Sequence, residues 1–148
     1  MKDEYLSFIQ LLNEHEVEYV LLGGYAVIVH GYVRTTADVD FLINPTIQNA
    51  DKLLMVMLKF GYGPYDFEQS DFTQPNVCIS LDRYDGKIEL LTETLGVTFD
   101  ECFKNKFVFE TEGVSINVIS LPDLIKNKQA VGRPKDLEDI RNLPKTEN

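Results

Sequence analysis

At 148 residues with 44% hydrophobic side chains, the chain is long enough to bury one core without disulfide or metal staples, and one domain over residues 1–148 is expected. A formal charge of −10 repels nucleic-acid backbones at long range and argues against non-specific DNA binding. No apolar stretch is long enough to cross a bilayer and the start, Met1-Lys2-Asp3-Glu4, lacks signal-peptide design, so a cytoplasmic protein with no membrane association is expected.

Tyr5, Phe8, Ile9 and Leu12 recur at helical spacing and predict an amphipathic helix from about 4 to 15, read as structural. Glu18 to Leu22 reads as a short buried strand stopped by Gly23-Gly24, and Tyr25 to His30 as a short helix. Asp38 to Ile43 alternates acid and apolar residue before turning wholly apolar, the pattern of a strand with one end in a polar site. Ala50, Leu53, Leu54, Met57 and Leu58 give a helix that Gly61 ends, and Gly61 to Asn76 is expected to be a long ordered loop, either lining a site or a passive lid. Val77–Leu81 and Lys87–Thr92 predict a hairpin around Asp85-Gly86, and Phe107–Glu110 with Val114–Ile119 predict a second around Glu112-Gly113. From Leu121 to about 143 the chain is expected to be helical, with a break between Gly132 and Pro134. This order predicts an α/β (α+β) domain, a mixed central sheet flanked by helices.

Two glycines followed, thirteen residues later, by Asp38-Val39-Asp40 form the most informative pattern. Glycines at a strand-to-helix turn let backbone N–H groups approach an anion closely. Acids two residues apart on a strand emerge on one face, where hard divalent ions that bridge nucleotide phosphates find oxygen ligands. Either piece alone is better read as a tight turn or a pair of solvated aspartates. Glu89, a lone acid among apolar neighbours on a predicted strand, is the candidate third carboxylate, against an ordinary outward-facing position beside Lys87.

Residues 1–120 carry a net −11 and residues 121–148 a net +1, so the tail is expected to supply the cations for an anionic ligand. Arg34, Lys128 and Arg133 are the candidate phosphate contacts, each weighed against a plain ion pair or a solvated face. His30 could orient Asp38 or Asp40 but reads more readily as a satisfied core residue, and His15 reads as exposed; Cys78 and Cys102 are read as reduced, half-buried thiols outside any metal or redox motif.

The apolar residue before Gly23-Gly24, the Asp38/Asp40 pair and the later Glu89 resemble the signature of the nucleotidyltransferase superfamily that includes DNA polymerase β. Gly23 to Gly31, then Arg34 to Phe41, and the tail from Lys128 to Ile140 resemble the small bacterial branch with the AbiEii/AbiGii-type toxins and minimal nucleotidyltransferases. The resemblance implies a nucleotidyltransferase-like fold and transfer of a nucleoside monophosphate from an NTP to an acceptor hydroxyl, with pyrophosphate release. It implies that Gly23 and Gly24 hold the triphosphate and that Asp38, Asp40 and Glu89 bind Mg²⁺, as a two-metal site, with Glu89 helping to activate the acceptor. The acceptor is expected to be a small molecule, a protein or a tRNA, with a toxin–antitoxin partner protein as a further expectation. Two other readings are a non-catalytic module of the same fold, antitoxin-like or regulatory, and metal-dependent hydrolysis, which leaves the glycine spacing unexplained.

Overall fold

The computed structural model describes residues 1–145. Six strands form one mixed sheet in the order β3-β4-β2-β1-β6-β5. The elements run α1 (Asp3–Glu14), β1 (Tyr19–Leu22), α2 (Gly23–Val29), β2 (Val39–Ile43), α3 (Ile47–Lys59), β3 (Cys78–Arg83) and β4 (Gly86–Leu91). They continue with α4 (Phe99–Asn105), β5 (Phe107–Thr111), β6 (Val114–Val118), α5 (Leu121–Val131) and α6 (Pro134–Asn142). Both predicted hairpins form, closed by Gly86 and Gly113 at positive φ. No described helix is long and apolar enough to cross a membrane.

β1 pairs antiparallel with β2 and parallel with β6, while β2 pairs parallel with β4. Alternation then divides the central strands. Phe41 and Ile43 point to one face, where Phe8 of α1 lies 5.9 Å from Phe41 and 5.0 Å from Phe60 at the end of α3. Asp40 and Leu42 point to the other face, over which α5 stands. α5 starts at Ser120, whose side chain caps the Asp123 N–H, and stops at Gly132 with φ +67.

Three expectations need correction, and one helix was not expected from the sequence. Asp38 precedes β2, which begins at Val39, so only Asp40 of the pair sits in the ladder. The segment after Gly61 folds as a 3-10 turn over Gln69–Phe72 packed on α3, with Phe72 fully buried; the site cavity takes no side chain from it. A helix unmarked by any apolar period, α4, fills the stretch before β5, capped by Thr98 and anchored by Cys102. The thiols are not half-buried: Cys78 is exposed on edge strand β3, and Cys102 is fully buried, its thiol pushed up to about 12 by burial and by Asp123.

Candidate active site

The site is built at the end of β1. Leu22 is the register partner of Asp40, and Asp40 is in turn the register partner of Glu89 on β4. Gly23 therefore follows immediately beside the Asp40 carboxylate. A Cβ at Gly23 would lie 2.2 Å from Asp40 Oδ2, and its φ of +73 is one that other residues rarely adopt. At Gly24 a Cβ would lie 2.5 Å from Thr36 Oγ1 and 3.2 Å from an Arg34 guanidinium nitrogen. Gly23 thus leaves room for the Asp40 carboxylate of β2, and Gly24 for Thr36 and Arg34 of the segment between α2 and β2.

Asp40 and Glu89 face each other across a parallel pair, held in place by the ladder itself. Burial, a hydrogen bond with Glu89 and the charges of Glu89 and Asp38 push the Asp40 carboxyl up to about 7, against a smaller opposing pull from Lys128. Ser80 of β3, in register with Glu89, lies 3.5 Å from its Oε1. Asp38 is turned differently: its Oδ1 accepts the Lys87 backbone N–H at 2.9 Å. The three acids are consequently a facing pair with a third beside it, and no three metal-type side chains among the described residues are already gathered as a cage.

This donor set fits a divalent cation. Two carboxylates held together at a cost in charge repulsion, with oxygen atoms only, are what Mg²⁺ prefers, and a cation between them removes that repulsion. Asp40 and Glu89 would hold it, with Asp38 contributing its free oxygen.

A cavity of about 460 Å³ opens over this pair, lined on the sheet side by Gly23, Gly24 and the three acids and on the far side by α5 and α6. All three cations expected at the site line it, but each is already engaged. Arg34 meets Asp139 at 2.8 Å, and Lys128, only 7% exposed, bridges Asp136 at 3.0 Å and Asp139 at 2.9 Å. Arg133 pairs with Asp136 at 2.8 Å while its side chain stays 70% exposed. The expected cationic face is instead a network in which two α6 carboxylates hold three cations, Lys128 buried, Arg34 largely so and Arg133 exposed. Burial alone would push the Asp136 carboxyl up, but hydrogen bonds from Arg133 and Lys128 outweigh it and hold the group at about 2.

Asp136, Asp139 and Thr36 were not singled out from the sequence. The signal for the aspartates was present, two acids spaced i, i+3 amid three basic residues, but the tail read only as a source of cations. Thr36 carries no such signal. His30 sits away from the acids, its Nε2 2.7 Å from the Ile119 carbonyl and its ring against Phe107.

Two solved structures share this architecture. A protein from Thermotoga maritima provisionally described as a nucleotidyltransferase, TM1012, superposes with a TM-score of 0.65 at 19% identity, covering 95% of this chain and 92% of its own. An antigenic nucleotidyltransferase-like protein from Paracoccidioides brasiliensis gives 0.54 at 23% identity, covering 93% of this chain and 70% of its own. These likenesses give the chain a nucleotidyltransferase-like fold. No curated protein matches it in sequence. Residues 4–144 match the family described as nucleotidyltransferases of unknown function, DUF6036, and the chain belongs to that family.

Proposed function

We propose that the protein is a Mg²⁺-dependent nucleotidyltransferase that moves a nucleoside monophosphate from an NTP to an acceptor hydroxyl, releasing pyrophosphate. The observation that carries this reading is the direct abutment of Gly23 on Asp40, with Glu89 in register beyond it. That arrangement puts a close-approach turn for phosphate beside an oxygen-only cation site. A bound divalent cation supplies charge neutralisation for the triphosphate and for the departing pyrophosphate.

The chain's own residues divide the remaining work. Gly23 and Gly24 offer backbone N–H groups to the phosphates without a side chain in the way. Glu89, at the β3 side of the pair with the Ser80 hydroxyl 3.5 Å from its Oε1, would accept the acceptor's proton. Arg34, Lys128 and Arg133 frame the opposite wall, and Asp136 and Asp139 fix their positions before any nucleotide arrives. With a net charge of −10, a small-molecule or protein acceptor is easier to accommodate than a tRNA.

Incubation with labelled NTPs, Mg²⁺ and cell extract tests the reading. Label transfer that disappears in Asp38→Ala/Asp40→Ala supports it; absence of both nucleotide binding and transfer in the unmodified protein rejects it. One observation favours a non-catalytic module: each wall cation is already paired with an α6 carboxylate. Calorimetric titration with Mg²⁺ and a non-hydrolysable ATP analogue separates the two, since a pure scaffold shows no metal-dependent nucleotide affinity.

A further inference from the structure

The first helix, which reads from sequence as structural, reaches the acid site through one hydroxyl. Tyr5 is 0% exposed, and its hydroxyl donates to the Ala37 carbonyl at 2.7 Å, one residue before Asp38. Gly86, the first residue of β4 after the β3–β4 turn, closes the same junction. A Cβ there would lie 2.5 Å from the Ala37 oxygen and 2.7 Å from the Tyr5 hydroxyl, at a φ of +152. The next residue, Lys87, gives its N–H to Asp38 Oδ1. Three segments far apart in sequence therefore meet on the backbone that carries Asp38.

The turn is pinned to α1 from the other side as well. Arg83 pairs with Glu4 at 2.7 Å and lies 4.6 Å over the Phe60 ring, and Lys2 donates to the Asp85 carbonyl. Tyr25 of α2 packs edge-on against Tyr5, with ring centres 6.0 Å apart. The Tyr5 ring is accordingly held by packing that does not need its hydroxyl, whereas the hydroxyl's one described protein partner is the Ala37 carbonyl.

We infer that Tyr5 is a positioning residue for the carboxylate site: its hydroxyl holds the Ala37 carbonyl and thereby sets Asp38 against the Lys87 amide. Asp38 lies outside the β2 ladder, so unlike Asp40 and Glu89 it has no strand pairing of its own to orient it. The Tyr5–Ala37 bond and the Lys87 amide supply that orientation. This inference rests on the metal-dependent reading above.

The test is Mn²⁺ binding followed by electron paramagnetic resonance on the full chain, with and without a non-hydrolysable ATP analogue. Cooperative thermal unfolding is recorded alongside. Tyr5→Phe removes the hydroxyl and keeps the ring; Gly86→Ala disturbs the junction from the other side, and serves if the first variant does not fold. Ile9→Val, a buried change elsewhere on α1, is the packing control. Loss of an outer-shell partner predicts Mn²⁺ affinity weakened roughly tenfold or more in folded Tyr5→Phe or Gly86→Ala, with Ile9→Val close to the unmodified protein. Unchanged Mn²⁺ affinity in folded Tyr5→Phe, or equal weakening in Ile9→Val, overturns the inference alone. Absence of Mn²⁺ binding in the unmodified protein overturns the metal-site reading and this inference with it.

Discussion

Asp40→Asn is predicted to make the metal-free protein more stable, although it removes a residue of the proposed chemistry. In the folded chain the Asp40 carboxyl is pushed from 3.8 up to about 7 by burial and by the two acids beside it. Its folded value is raised, so its favourable contribution is complete below about pH 4 and is lost as pH rises through 7. At ~1.4 kcal/mol for each pH unit between those values, the full penalty at pH 8 comes to about 4 kcal/mol. Relaxation of the pair and the imperfect mimicry of Asn reduce this to an expected ~2–4 kcal/mol, or roughly 5–12 °C in Tm for a domain of this size. At pH 5 the same linkage leaves less than half of that gain.

The assay is thermal or urea unfolding of both proteins in EDTA at pH 8 and pH 5, then at pH 8 with Mg²⁺. The substituted protein should exceed the unmodified one at pH 8, the difference should shrink at pH 5, and added Mg²⁺ should raise only the unmodified protein. Equal stabilities at pH 8, or a difference that is the same at both pH values, would refute the charge-crowding argument.

Gly23→Ala drives a methyl into the Asp40 carboxylate at a positive φ, so it should abolish metal-dependent nucleotide binding in a calorimetric titration and lower stability by about 1–3 kcal/mol. Lys128→Met leaves Asp136 and Asp139 without their shared cation, and urea unfolding at pH 7 should show a loss of about 3–5 kcal/mol. Because Asp136 titrates at about 2 when folded, its stabilisation is present above about pH 4 and fades as pH falls toward 2; Asp136→Asn should flatten that part of the acid-unfolding curve. Of the two thiols, Cys78 alone should react with a thiol reagent under native conditions, and Cys102 should join it only on unfolding.

What could be read in the sequence was whatever chemistry forces on residue type. Gly23 and Gly24 are there because no side chain fits against Asp40, Thr36 and Arg34, and an acid among apolar strand residues, as at Glu89, needs a partner. Strand and helix periods gave both hairpins, α1, α3 and the terminal helices for the same reason. Three features were out of reach. α4 is seven residues long, with too few turns to build an apolar stripe, and is held by a cap and one buried cysteine. The orientation of Asp38 depends on Tyr5 and Gly86, which meet it only after the sheet has formed. The α6 aspartates looked like counter-charges to solvated lysines, because burial of Lys128 to 7% cannot be inferred from a polar helical period.

The register that brings Asp40 opposite Glu89 also bears on how the chain folds. β2 and β4 are neighbours in the sheet but are separated in sequence by α3, the 3-10 turn and β3, so their seam is a non-local pairing that costs loop-closure entropy. It closes against the mutual repulsion of two carboxylates at neutral pH, a cost the unfolded chain does not bear. On the proposed metal-site reading, a divalent cation that bound only the closed seam would offset that cost by mass action and act as a folding ligand. The folded fraction in urea should then fall when divalent ions are withheld at pH 8 and recover in mild acid, where protonation of Asp40 relieves the same repulsion.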